Sequence, residues 1–118
     1  MDVAAIHKAL GHPQRYALFL DILGGGGRGS FGVHLDSNDE ACCVVDLTAR
    51  HALAQSTISH HLRILLSAGL LQQERRSTFN LYRVNEATWD SFRQHVMSLP
   101  ICHDVDEKSA AFRVLIDE

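Results

Sequence analysis

The sequence predicts a mainly α winged helix-turn-helix, on three patterns. Two stretches of helical apolar spacing, 41–54 and 58–69, are joined by the short polar segment Gln55-Ser56-Thr57. The run LLQQERRSTFNLYRV follows at once, alternates as strands do, and folds back around Arg76-Ser-Thr as a two-stranded β-hairpin wing. A further helical apolar stripe occupies 86–99. A length of 118 residues, 46% apolar and 21% charged, suits one globular domain and leaves no room for a second core.

Residues 3–10, VAAIHKAL, spell a short helix with Ile6, Ala9 and Leu10 on one side. Gly11 breaks it. Pro13 suits the first turn of a second helix, HPQRYALFLDIL, where Tyr16, Leu18, Phe19, Leu20, Ile22 and Leu23 are the expected core. The stretch GGGGRGSFG at 24–32 suits no packed helix and continues through Asp36-Ser-Asn-Asp-Glu40 as a flexible linker. It lacks the Gly-Lys-Ser/Thr ending and the preceding strand of a phosphate-cradling loop.

Over 41–54, Val44, Leu47 and Ala52 keep helical spacing. Gln55-Ser56-Thr57 then interrupts and caps the helix ISHHLRILLSAG, with Ile58, Leu62, Leu65 and Leu66 inward and Gly69 as its stop. In EATWDSFRQHVMSL the stripe is Trp89, Phe92, Val96 and Leu99, and Pro100 ends it. The domain is expected over 1–100. An acidic tail occupies 101–118, where Phe112, Val114, Leu115 and Ile116 mark a short amphipathic piece.

A net charge of −3 argues against a polyanion partner only until its distribution is read. Between Arg50 and Arg83 stand five arginines and one acid, Glu74, a local charge of +4 against −7 for the remainder. Local potential, not total charge, steers a nucleic acid. On the 58–69 helix the apolar positions face inward and Ser56, Ser59, His60 and Arg63 line the outer face. Small hydroxyls, an imidazole and a guanidinium near a helix N-terminus suit base edges in a major groove, and Gln55 and Thr57 flank them. The hairpin adds Arg75, Arg76, Thr78, Asn80 and Arg83, groups suited to phosphates or a minor groove.

The stretch Ser56-Thr-Ile-Ser-His-His-Leu-Arg-Ile-Leu-Leu-Ser-Ala-Gly-Leu-Leu71 resembles the recognition helix of the arsenic-repressor (ArsR/SmtB) family of winged-helix regulators. Lys8-Ala-Leu-Gly-His-Pro-Gln-Arg15 resembles the opening block of that family, and Asn80-Leu-Tyr-Arg83 the end of its wing. The resemblance implies a homodimeric repressor with its first and last helices in the dimer interface. It also implies operator double-stranded DNA with an inverted repeat as partner, and an inducer that lowers DNA affinity.

Arsenic-sensing members carry Cys-Val-Cys-Asp-Leu-Cys in the helix before the DNA-reading pair. Cys43-Val-Val-Asp-Leu-Thr48 is similar at Cys43, Asp46 and Leu47, but Val45 and Thr48 replace the second and third thiols. The chain offers instead Cys42 beside Cys43, and Cys102 after the last helix. Three readings stay open. The three thiolates can form a soft trigonal site for As(III) or Sb(III) as inducer, with no cofactor otherwise required. The vicinal Cys42-Cys43 pair can be a redox switch, because neighbouring Cα atoms about 3.8 Å apart lie below the usual disulfide range of about 4.4–6.8 Å, which makes such a bond easily reduced. They can also be ordinary buried cysteines.

Other classes fit less well. His60 and His61 diverge by about 100° on a helix and do not readily share a metal, and His95, His103, Asp104 and Asp106 do not reproduce the family's last-helix metal spacing. The chain is not expected to be an enzyme: no nucleophile has a placed base, and Cys42-Cys43 is not Cys-x-x-Cys in a βαβ setting. A protein-interaction module would favour aromatics over the Ser/His/Arg face. A metal-trafficking protein would bind its ion equally with and without DNA. The N-terminus has no basic stretch before an apolar core, and no apolar run reaches the roughly 18 residues of a membrane span, so a cytoplasmic protein with reduced thiols is expected.

Overall fold

A computed structural model of the chain describes residues 1–25 and 42–101. Among these described residues five helices and three strands follow in order: α1 (Val3–Leu10), α2 (Pro13–Leu23), β1 (Cys42–Cys43), α3 (Val44–His51), α4 (Gln55–Ser67), β2 (Leu71–Arg76), β3 (Phe79–Val84) and α5 (Glu86–Ser98). Most of the expected linker and the tail from residue 102, with its amphipathic piece, lie outside the described residues.

Local chemistry explains most boundaries. Asp2 caps α1 by accepting from the Ala5 N–H at 3.0 Å. His12 caps α2 through Nδ1, which accepts from the Gln14 N–H at 3.2 Å, and Pro13 occupies the first helical position, where its missing N–H costs nothing. Asn85 caps α5 by accepting from the Thr88 N–H. The end of α4 is a Schellman motif: the Leu70 N–H reaches the Leu65 carbonyl at 3.1 Å, and the Gly69 N–H the Leu66 carbonyl at 2.9 Å. Gly69 adopts φ 82°, a left-handed value that an L side chain resists.

The core gathers one stripe from each helix against the wing base. Val3, Ile6 and Ala9 of α1 meet Leu18, Phe19 and Ile22 of α2, Leu47 of α3, and Ile58, Leu62 and Leu65 of α4. Leu70, Leu71, Tyr82 and Phe92 complete the cluster. Phe19 meets Trp89 edge-on, and Trp89 stacks on Phe92, so α5 closes over α2. His7 meets Phe92 edge-on, which brings α1 beside α5.

Three expectations need correction. The 41–54 segment is not helical from its start: Cys42–Cys43 forms strand β1, antiparallel to β3, with Cys42 opposite Tyr82 and Cys43 opposite Leu81. The sheet therefore has three strands in the order β1-β3-β2, the hairpin wing plus a short edge. Gln55, Ser56 and Thr57 do not interrupt and cap α4; they form its first turn, and Ala54 stands at the cap without a side-chain hydrogen bond. Tyr16, Leu20, Leu23, Val96 and Ala52 are exposed rather than core. A helix can bury only one stripe, and α2 spends its stripe on Arg15, Leu18, Phe19 and Ile22. Ala52 sits at φ 51° in the tight turn between α3 and α4, which turns it out to solvent.

Candidate nucleic-acid interface

α3, the turn through Ala52–Ala54 and α4 form the helix-turn-helix, and β2–β3 form the wing beside it. Because α4 starts at Gln55, Ser56, Ser59, His60 and Arg63 fall at i, i+3, i+4 and i+7, a single continuous stripe. Opposite them Ile58, Leu62 and Leu65 have no solvent exposure, so the stripe faces outward. Ser56, His60 and Arg63 are exposed and Ser59 partly so; Gln55 is exposed and Thr57 half-buried. These expected residues are thus brought together on one surface.

On the wing, Arg75, Thr78 and Asn80 are exposed, with Arg75 paired to Asn80 across the strands. Arg76 and Arg83 stand differently. Glu74 Oε1 accepts from Arg76 at 2.9 Å and from Arg83 at 2.8 Å, so one carboxylate engages both guanidinium groups. Glu74 is the lone acid of the basic segment, and its i, i+2 same-face relation to Arg76 is the one trace of this pairing in the sequence. Ser77 takes φ 57° in the two-residue turn at the wing tip.

Two clusters that the sequence does not reveal hold the helix-turn-helix against α1 and α2. Arg15 is nearly buried; its Nε donates to the Ala9 carbonyl at 2.5 Å and a terminal nitrogen to the Lys8 carbonyl at 3.3 Å. It thereby gives the Ala9 carbonyl at the end of α1 a partner and adds a second donor to the Lys8 carbonyl, which also accepts from the Gly11 N–H at 3.2 Å. Its other nitrogen lies 3.5 Å from Nδ1 of His61, a buried residue of α4. The His12 ring is 4.7 Å from that of His61, centroid to centroid, and the His60 ring 5.9 Å. Burial, then the charges of His12, Arg15 and His60, push His61 below the ordinary histidine range. Asp21 of α2 accepts from Arg50 of α3 at 2.9 and 3.1 Å and lies 2.7 Å from His51 Nε2. Burial opposes its ionisation, but the bonds and charges of Arg50 and His51 outweigh that and hold its carboxyl below the usual range. Arg50 therefore serves the α2–α3 contact before any DNA face.

Cys42 and Cys43 stand on β1, next to the wing strand in backbone register and immediately before α3. They are not within the helix, as the thiol-motif reading expected. Cys102 lies outside the described residues, and among the described residues no group of three His, Cys, Asp or Glu is arranged to hold a metal.

Residues 37–73 match the family described as "Bacterial regulatory protein, arsR family". That match spans α3, the turn, α4 and the start of the wing, so this segment is similar to an arsR-family helix-turn-helix. The "Arsenical resistance operon repressor" of Bacillus subtilis (strain 168) is 43% identical over 44 residues, which are 37% of this chain and 42% of that protein. The chain thus spans less than half the length of this curated relative. Among solved structures, the ArsR-like transcriptional regulator from Rhodococcus sp. RHA1 is similar with a TM-score of 0.67 at 16% identity, covering 97% of this chain and 92% of that one. The homodimeric winged helix-turn-helix DNA-binding domain Mb0332 from Mycobacterium bovis, described as a possible ArsR-family regulator, is similar at TM-score 0.59 and 21% identity, over 99% and 84% of the two chains. At those identities the solved structures establish the fold alone: a winged helix-turn-helix. No helix among the described residues is long and apolar enough to cross a membrane.

Proposed function

We propose that the chain is a homodimeric transcriptional repressor that binds double-stranded operator DNA at an inverted repeat, in the cytoplasm, and leaves it when cysteine thiols take up As(III) or Sb(III). The observation that carries the DNA reading is the single exposed stripe Ser56, Ser59, His60 and Arg63 on α4, flanked by a cationic wing. In this reading Gln55, Ser56, Thr57, Ser59 and His60 meet bases and Arg63 a guanine or phosphate. Arg75, Arg76, Thr78 and Arg83 meet the backbone. The chain acts as a regulator rather than an enzyme.

Dimerisation through the terminal helices is supported by apolar exposure at their ends. Met97 is 84% and Ile101 79% exposed, with Val96 and Met1 also open, and α1 and α5 already touch through His7 and Phe92. Residues 1–100 would form the DNA-binding and dimerisation domain and 101–118 its acidic tail.

The thiophilic inducer is supported by the three cysteines and by the name of the Bacillus subtilis relative. Soft thiolates select such ions. A ligand on Cys42 and Cys43 would pull on β1, whose partner β3 carries Arg83 and Asn80, and on Val44, where α3 begins. The signal would reach wing and helix-turn-helix through backbone hydrogen bonds. The test is a fluorescence-anisotropy titration of duplex from the chain's own upstream region, with and without As(III). Saturable binding that As(III) reverses is the expected result; As(III)-insensitive binding would remove the inducer, and no binding the repressor.

A further inference from the structure

We propose that Glu74 limits how strongly the wing grips a nucleic-acid backbone, by occupying Arg76 and Arg83, and so restrains sequence-independent binding. The inference rests on the DNA-binding reading above and goes beyond it by giving an acidic residue a part in specificity.

The geometry is that of a substitute phosphate. A single Glu74 oxygen accepts from terminal nitrogens of both arginines, at 2.9 and 2.8 Å, and a phosphate oxygen would seek those same N–H donors. The carboxylate also lowers the local potential. Its separation from either guanidinium is well below the Debye length of about 8 Å at physiological salt, so salt screens its effect on them only in part. All three side chains remain roughly half exposed, so a well-placed phosphate can displace Glu74, since exposed ion pairs are weak. Glu74 and Arg83 further line a groove of about 580 Å³ with Leu66 of α4 and Leu71, Gln72 and Gln73 of β2. The Glu74–Arg83 part of the competition thus borders the trough between the C-terminal end of α4 and the wing. Among the described residues Arg63 and Arg75 have no ion pair, so the restraint falls on two of the four arginines of α4 and the wing.

Specificity is the ratio of operator to random-sequence binding, and backbone contacts supply most of the random part. Restraining two such contacts lowers random binding, while the base contacts of α4 are untouched.

The test compares wild type with Glu74→Gln, which keeps shape and removes charge, on a fluorescein-labelled duplex of mixed sequence across a salt series. Each new phosphate contact adds about 0.9 to the slope of log affinity against log salt. The expected result is a steeper slope by about one to two and several-fold tighter binding at low salt. Adding Arg76→Ala and Arg83→Ala should cancel the gain. Glu74→Ala repeats the comparison, and thermal melts confirm that each variant folds. Equal slope and affinity for wild type and both Glu74 variants, or weaker binding by them, overturns the proposal while leaving DNA binding intact. Failure of wild type and variants alike to bind any duplex at the lowest salt overturns the DNA-binding reading, and this inference with it.

Discussion

Arg15 points a guanidinium nitrogen at Nδ1 of His61, 3.5 Å away and 46 positions further along the chain. Arginine only donates, so a hydrogen bond between them uses the Nδ1 lone pair of an unprotonated ring. Protonation would place an N–H against the guanidinium, beside His12 and His60, in a buried site. The neutral ring is therefore part of how α4 seats on the α1–α2 junction.

The pH consequence has a definite sign. His61 is held below its ordinary value of 6.5, so the unfolded chain takes up this proton more readily than the folded one. Its stability contribution is complete above about pH 6.5 and falls as pH drops toward the lowered folded value. Thermal melts from pH 7.5 to 5.5 should show a falling Tm, and His61→Gln should remove much of that fall. An identical pH dependence in the variant would exclude this account.

Removing Arg15 should be costly. Arg15→Ala leaves the Lys8 and Ala9 carbonyls without their side-chain partner and opens a hole beside His61. A loss of about 2–4 kcal/mol in urea unfolding is expected, from two charge-assisted bonds and lost packing.

Asp21 should act as an acid-sensitive clamp between α2 and α3. Its folded carboxyl value is depressed, so the stability it supplies is present above about pH 4 and lost as pH falls through the folded value. Asp21→Asn should lower stability at pH 7 by about 1–2 kcal/mol and blunt the acid limb of a pH–stability curve.

On the DNA side, Arg63→Ala should weaken operator binding tenfold or more, since a lost base or phosphate contact costs about 1–3 kcal/mol. Wild-type affinity for both Arg63→Ala and Ser59→Ala would show that α4 is not the reading helix. Arg75→Ala should flatten the salt dependence by about 0.9, and Arg76→Ala by less, because Glu74 already engages Arg76.

Separate cysteine variants split the inducer mechanisms. For a trigonal ion site, Cys102→Ser and Cys43→Ser should each abolish As(III)-driven release of DNA. Peroxide-driven release that survives Cys102→Ser and disappears in Cys43→Ser would instead mark oxidation of the Cys42-Cys43 pair to a vicinal disulfide. Release by either agent from a chain lacking both Cys42 and Cys43 would sink both mechanisms.

The sequence by itself determined the order of the helices, the wing and the outward stripe on α4, though not where α3 and α4 begin. Each follows from a contiguous pattern: apolar positions at helical spacing, Gly69 after the last buried Leu of α4, and strand alternation about a polar turn. Side-chain period is a local property, so Ser56, Ser59, His60 and Arg63 could be assigned to one face without knowing what the other face packs against. Only the tertiary structure decided that Cys42–Cys43 is a strand, because two residues are too few to show a period and pair only where β3 leaves an edge. It also decided which side of the apolar helix α2 is buried: Leu20 and Leu23 are as apolar as Leu18 and Ile22, and packing chose between them. The pairings of Arg15 with His61 and of Asp21 with Arg50 join residues 46 and 29 positions apart. A charge has no periodicity that names its partner. That partner is set by which helices meet, and the meeting is fixed by the burial of the core.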